Sequence, residues 1–296
     1  MANLLQAWYQ VPQVAMLVGG FDHSIVYVPE FQQFLDPTNN LARYSQTTML
    51  TKPALVLDDG TGHARVMTIP SQNAGGDWSR RTAQLVLDAQ GDLQGQVQVT
   101  AGGMPEISNR RSASSITAGM EPAYAAQRLK ASDYTGTGTY VLRQPDDLTQ
   151  PYVYDMQFSI QNYAAPAEPQ SKTVPTGLPA FRELRSFGRQ QALAMPERRT
   201  AMTWNNETIE ENTELTLPAN ARITQLPKTV HVANGAGNYD ASYAQRGQTI
   251  VVQRKFSTHL PPEVSGENYK LLRDLSSAAL QGASRPVLLR QPSWSA

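Results

Sequence analysis

Two residues whose side chains suit acid–base chemistry lie thirteen positions apart near the start of the chain, His23 and Asp36. A Pro-Glu pair at 29–30 lies between them and is typical of a tight turn with proline at its second position. Alternating apolar residues on both sides of this turn predict an antiparallel hairpin. The simplest register of that hairpin places His23 directly opposite Asp36 and Ile25 opposite Phe34.

This register has a chemical consequence for the two side chains. Directly opposed residues have Cβ atoms about 4.5–5.5 Å apart, so the carboxylate of Asp36 can hold the imidazole of His23. A carboxylate that fixes one ring nitrogen leaves the other as a base, as a nucleophile–His–Asp site requires. However, the sequence contains no cysteine, and it has no Gly-x-Ser-x-Gly nucleophile elbow. The pattern predicts a base and its orienting residue without a nucleophile.

The segments Phe21–Ile25 (FDHSI) and Asp36–Thr38 (DPT) resemble the His- and Asp-bearing end of the bacterial transglutaminase-like (papain-related) family. More narrowly, they are similar to proteins of that superfamily that carry the domain called DUF3857. The resemblance implies acyl transfer or amide hydrolysis through a thioester, with His23 as the base and Asp36 as its orienter. In that family the nucleophile is a cysteine on a helix upstream of the histidine, and this residue has no counterpart here.

The composition excludes several classes of protein. Hydrophobic residues make up 40% and charged residues 17%, so the chain can bury a core and is not a charged disordered segment. The formal net charge is zero, which argues against a nucleic-acid partner. No apolar run approaches the roughly 20 residues of a membrane-spanning helix. The first twenty residues lack a basic region and contain Pro12, so they are not expected to be a signal peptide; the family resemblance implies the periplasm or the cell surface.

The fold class that the sequence predicts is mainly β, a β-rich α+β protein. Glycine and proline, 20 of each, separate many short alternating segments. We expect residues 1–70 to be the C-terminal β part of a transglutaminase-like core. Residues 71–296 are expected to form a β-sandwich-like accessory region with two helices, with a sub-boundary in the Pro-rich connection at 164–180.

Individual elements follow from hydrophobic periodicity. Good helix formers, with Pro122 suited to a first turn, predict one principal helix at 115–130. Apolar residues at helical spacing predict the other at 262–281, and a helical stub is predicted at 3–9. Strict alternation predicts strands at 83–87, 93–99, 152–160, 200–217, 229–232, 238–244 and 249–256.

The other histidines and a group of glutamates near residue 210 do not form a recognisable site in the sequence. His63, His231 and His259 lack the spacing of metal ligands, so no metal or other cofactor is expected. The glutamates near residue 210 predict an acidic, solvent-facing strand that discourages edge pairing. They are Glu207, Glu210, Glu211 and Glu214.

The leading prediction of function is a non-catalytic C-terminal portion of a transglutaminase-like protein, with His23 and Asp36 left from a Cys-His-Asp site. A protein, a peptide or the missing N-terminal part of the core would be its partner. One alternative is a standalone β-sandwich binding protein in which the His/Asp pair is coincidental. Another is an enzyme that a second polypeptide completes by supplying the cysteine helix.

Overall fold

A computed structural model describes most of the chain. For residues 2–5 and 168 it describes the backbone and not the side chains. Nineteen strands and three helices lie in this described part, and the prediction of a mainly β protein is confirmed. The described residues are 2–5, 21–58, 61–70, 75–168, 170–178 and 195–290.

The chain divides into two compact units that are not continuous in sequence. Unit 1 comprises Met1–Trp78, Ala101–Ser112 and Gln144–Tyr152, and unit 2 comprises Ser79–Thr100, Ala113–Arg143 and Val153–Ala296. The division at residue 70 stays a prediction.

Unit 1 contains a five-stranded sheet in the order β3-β2-β1-β4-β5. Its strands are β1 (Ala2–Leu5), β2 (Phe21–Val28), β3 (Gln33–Leu35), β4 (Pro53–Val56) and β5 (Arg65–Thr68). Alternation along β2 buries Ile25 and Tyr27 and exposes Val26. The buried face forms a small core with Phe34 and Ile69, and His23 lies on the same side of β2 as this core.

The hairpin of β2 and β3 forms where it was predicted, but the predicted register is wrong. Tyr27, and not Ile25, is the partner of Phe34. The turn is longer than expected because Gln32 adopts a positive φ of 53° and its N–H bonds to Pro29 O. The two extra residues in the turn shift every pair by two positions. A shift of two leaves each side chain on its original face, so the correction does not separate His23 from Asp36.

Unit 2 is built around an eight-stranded sheet in the order β15-β16-β17-β13-β6-β7-β9-β8. Burial alternates strictly from Asp77 to Leu87, so the strand predicted at 83–87 begins six residues earlier than expected. In β6 and β7, two residues at one end of each strand belong to unit 1. The strands are β6 (Asp77–Leu87), β7 (Leu93–Gly102), β8 (Gly136–Leu142), β9 (Val153–Ile160), β13 (Glu207–Thr216), β15 (Val230–Asn234), β16 (Gly237–Arg246) and β17 (Thr249–Thr258).

Two smaller sheets also belong to unit 2. One has the order β10-β11-β19-β14, and the other pairs β12 with β18. The segment at 164–180 was predicted to be a connection and instead contains two strands. The sub-boundary predicted within it stays a prediction. Proline is tolerated there because β10, which holds Pro166, is an edge strand of its sheet. The bounds are β10 (Ala165–Glu168), β11 (Ser171–Pro175), β12 (Met202–Thr203), β14 (Arg222–Gln225), β18 (Glu263–Val264) and β19 (Pro286–Arg290).

The helices are α1 (Met104–Ser114), α2 (Glu121–Lys130) and α3 (Gly266–Ser284). The two predicted helices are confirmed as α2 and α3, although α2 begins six residues later than expected, with a proline in its first turn. Helix α1 was not predicted. The helical stub predicted at 3–9 is wrong for residues 3–5, which lie in β1, and the rest of it falls outside the described residues. Among the helices that the structure describes, none has the length and hydrophobicity that a bilayer-spanning segment needs.

Candidate functional site

His23 and Asp36 are in direct contact in unit 1. His23 Nε2 lies 3.1 Å from Asp36 Oδ2; the Asp36 side chain is 2% exposed and that of His23 is 26% exposed. A carboxylate only accepts hydrogen bonds, so in the neutral imidazole the proton is on Nε2 and the lone pair is on Nδ1. Within the described residues, Nδ1 has no hydrogen-bond partner. The contact leaves one ring nitrogen of a partly exposed histidine available as a base.

A threonine holds the carboxylate of Asp36 in place. The backbone N–H of Thr38 donates to Asp36 Oδ1 at 3.1 Å, and its hydroxyl donates to the same oxygen at 2.6 Å. The Asp-Pro-Thr sequence thus forms a turn in which an aspartate side chain accepts from the backbone two residues later. One carboxylate oxygen faces the turn and the other faces His23, so the acceptor of the imidazole proton is preorganised.

Thr38 does not present a hydroxyl that His23 can deprotonate. Its Oγ1 lies 3.5 Å from His23 Nε2, on the side of the ring that Asp36 already occupies, and its proton is donated to Asp36. The nitrogen that can accept a proton is Nδ1, on the other side of the ring. The arrangement can therefore supply a ring nitrogen that accepts a proton and a carboxylate that orients the ring, and among the described residues Thr38 adds no hydroxyl for that nitrogen to activate.

Unit 1 contains a buried ionic cluster that was not predicted from the sequence. Glu106 and Arg110 of helix α1 lie one turn apart, and the Nη2 of Arg110 is 2.8 Å from Glu106 Oε1. Glu106 also accepts from Gln46 Nε2 at 3.1 Å and from the backbone N–H of Tyr152 at 3.1 Å. The only signal in the sequence was the i, i+4 spacing of opposite charges, which is usually a feature of exposed helix faces.

A second buried ion pair lies in unit 2, where Arg254 donates to Glu211 and, at 2.8 Å, to Thr176 O. Burial is the largest single effect and opposes the charge on Arg254, but the Glu211 carboxylate together with Tyr243 and Tyr239 outweighs it, so the pKa of Arg254 lies above its ordinary value. The guanidinium also stacks over the ring of Tyr243. The predicted solvent-facing acidic strand is therefore wrong for Glu211, because the alternation of β13 turns this residue inward.

The other glutamate of that strand, Glu210, belongs to a row of charges across the exposed side of the sheet. It pairs with Arg80 at 2.8 Å and with Lys255 at 3.1 Å. The hydrogen bond from Arg80, followed by that from Lys255, lowers the pKa of Glu210. The row continues through Asp240, the cross-strand partner of Lys255, to His231, whose Nδ1 is 2.5 Å from Asp240 Oδ1.

The two His/Asp pairs differ in their surroundings. His231 and Asp240 are 70% and 51% exposed, whereas Asp36 is almost completely buried beneath His23. His63 and His259 are exposed, and the described residues contain no group of three or more His, Cys, Asp or Glu side chains that could hold a metal ion. Only His23 and Asp36 among these candidates combine a partly exposed base with a buried, oriented acid.

Comparison with known proteins finds matches that cover parts of the chain. A family model described as a domain of unknown function, DUF3858, matches residues 179–289. A crystal structure described as a "putative protease" from Parabacteroides distasonis ATCC 8503 is 15% identical, with a TM-score of 0.31, and the match covers 43% of this chain and 22% of that one. No curated protein matches the sequence. The transglutaminase-like and DUF3857 resemblances stay predictions.

Proposed function

We propose that this chain carries the base and the orienting acid of a thiol-dependent acyl-transfer or amide-hydrolysis site of the transglutaminase-like type, and is non-catalytic by itself. The observation that carries the proposal is the His23–Asp36 contact, with its buried, threonine-held carboxylate and its unoccupied Nδ1 among the described residues. The sequence supplies no cysteine.

The chemistry of such a site assigns a step to each group. Nδ1 of His23 would remove the proton of a thiol brought by another polypeptide, and the thiolate would attack an amide carbonyl. The imidazolium would return its proton to the departing amine, which leaves a thioester. Attack by water or by a second amine would then release the thiol. Asp36 would hold the ring and stabilise the imidazolium throughout.

Without a thiol, the remaining groups are insufficient. A neutral imidazole can deprotonate a water molecule, but this route has no covalent intermediate that divides the reaction into two easier steps. We therefore expect the purified chain to release ammonia from a peptidyl glutamine no faster than buffer alone does.

The test supplies the missing group. A cysteine-bearing helix from a transglutaminase-like protein is fused ahead of the chain, and ammonia release from a glutamine peptide is measured. Activity is expected only in the fusion, and His23→Ala and Asp36→Asn are expected to reduce it at least a hundredfold, within the range attributed to acid–base groups.

The chain offers its own matched control. His231→Ala removes the histidine of the second His/Asp contact, which is exposed, and is expected to leave activity unchanged. Activity that persists in His23→Ala would overturn the proposal. A fusion that folds but stays inactive would favour the alternative, a binding protein in which the His23–Asp36 contact is coincidental.

A further inference from the structure

A concave surface in unit 2 lies beside the sheet that contains β14 and β19. Its volume is about 930 Å³, within the range of roughly 300–1,000 Å³ that is common for small-molecule sites. Two arginines and several carboxamide side chains line it, and none of the lining residues is acidic. We call this surface the arginine cleft.

The two arginines are neighbours across adjacent strands. Arg222 of β14 and Arg290 of β19 are direct cross-strand partners, so their side chains emerge on the same face. Both residues are exposed, and neither forms a salt bridge within the described part of the chain. The acidic residue nearest by register is Glu168, which lies two strands beyond Arg290. Like charges directly opposite each other destabilise a sheet unless an anion lies between them.

The remaining polar lining offers neutral donors and acceptors. Gln170 and Asn220 contribute amide groups, and Thr224, whose hydroxyl donates to Leu288 O at 3.1 Å, contributes a hydroxyl oxygen that can accept. Gln248 has a structural role instead, since its Nε2 donates to the carbonyl of Ala219 at 2.6 Å. A surface with two guanidinium groups and several amides favours a ligand that has a doubly charged oxyanion and a hydroxyl-bearing body.

We propose that the arginine cleft binds a phosphate or sulfate ester of a hydroxyl-rich molecule, such as a sugar. The planar guanidinium forks of Arg222 and Arg290 hold the oxyanion, and the carboxamides bind the hydroxyl groups. This inference is independent of the His23–Asp36 site, which belongs to unit 1.

The experiment is a calorimetric titration of the full chain with four probes: glucose 6-phosphate, glucose 6-sulfate, glucuronic acid and glucose. We expect both esters to bind at least tenfold more tightly than glucuronic acid, and glucose not to bind measurably. Tighter binding of one ester identifies which oxyanion the cleft prefers. Equal binding of glucose and its esters would overturn the proposal, since the arginines would then have no part in recognition.

Variants separate the arginine forks from general positive charge. Arg222→Gln and Arg290→Gln together are expected to reduce ester affinity more than tenfold. Arg222→Lys combined with Arg290→Lys keeps both charges but loses the bidentate geometry of the guanidinium groups. We expect the ester affinity of this variant to lie between that of the unmodified chain and that of the double glutamine substitution. Arg246→Gln is the matched control, because Arg246 is an exposed arginine of the same unit that does not line the cleft. Circular dichroism checks that each variant is folded, and equal loss in the control and in the cleft variants would overturn the proposal.

Discussion

Glu106 and Arg110 lie one helical turn apart on α1, and neither side chain has any exposed surface. Arg110 donates to the carbonyls of Pro145, Asp147 and Gln150 at 2.7–2.8 Å. A buried pair of opposite charges is stable only when further hydrogen bonds satisfy both groups, and this condition is met here. The pair ties helix α1 to a segment about forty residues away in the sequence.

Replacing one partner of this pair should therefore be costly. We expect Glu106→Gln to lower the free energy of unfolding by about 3–5 kcal/mol, because the Arg110 charge would remain buried without its carboxylate. Urea unfolding followed by circular dichroism measures the change. Arg111→Gln is the control, since Arg111 is exposed on the same helix, and its effect is expected to stay within about 0.5 kcal/mol. Equal effects of the two substitutions would contradict this account.

The sequence predicted the long alternating strands well, but it missed others, such as β10 and β11, and it missed the buried charges. The reason is physical. Alternation in β6 and β17 reports which face is buried, because a side chain's position along a strand determines its face. Helix α1 lacks an apolar stripe, since its burial depends on Glu106 and Arg110 satisfying each other and the backbone of a distant segment. Such tertiary pairing leaves no local periodicity in the sequence.

The His23–Asp36 hairpin shows a different kind of limit. The residue types predicted the contact, and the proline predicted the turn, but the pairing register depended on the positive φ of Gln32. Because the shift was two residues, the contact became a diagonal one on the same face. A shift of one residue would have placed His23 and Asp36 on opposite faces.

The tautomer of His23 is directly testable. We expect the neutral ring to carry its proton on Nε2, where Asp36 accepts it, and ¹⁵N NMR of the imidazole distinguishes the two nitrogens. Asp36→Asn replaces an obligatory acceptor with a group that can also donate, so the fraction of the Nε2–H form should fall. His231, which contacts Asp240 through Nδ1, provides the internal reference and should show the opposite tautomer. A Nδ1–H tautomer at His23 in the unmodified chain would contradict the geometry.

Gly282 of helix α3 lies so close to Tyr239 that any side chain there is expected to be destabilising. A Cβ atom there would lie 2.2 Å from Tyr239 Oη and 2.7 Å from its Cε1. Despite the higher helix propensity of alanine, we expect Gly282→Ala to destabilise the protein by about 1–3 kcal/mol through overpacking. Thermal or urea unfolding measures this, with Gln281→Ala as the control at the adjacent exposed position.

A double substitution tests the cause of that loss. Tyr239→Phe removes the hydroxyl that makes the closest contact and leaves the ring carbons, so it should recover part of the stability lost in Gly282→Ala. Strictly additive effects would show that the overpacking arises elsewhere.

The pKa of Tyr239 predicts how the stability of the protein changes at alkaline pH. Burial raises the pKa of Tyr239 to about 12, although the nearby Arg254 favours the charged form. In the unfolded chain the phenol ionises near pH 10. Between about pH 10 and 12 the unfolded state therefore loses this proton while the folded state retains it, so stability falls as the pH rises.

Tyr239→Phe removes that proton and with it this part of the alkaline loss. At neutral pH we expect little change or a small gain in stability, because the hydroxyl of Tyr239 is buried and makes no hydrogen bond within the described residues. From pH 10 to 12 the variant should become more stable than the unmodified chain by a margin that grows to about 2–3 kcal/mol, the value of two pKa units. Urea unfolding at a series of pH values measures this margin.

Tyr243→Phe is the contrasting variant, since the Tyr243 hydroxyl donates to Gly282 O at 3.0 Å. The loss of this hydrogen bond should cost about 0.5–1.5 kcal/mol at neutral pH. A margin for Tyr239→Phe that stays constant from neutral pH to pH 12 would show that the phenol ionises equally in both states.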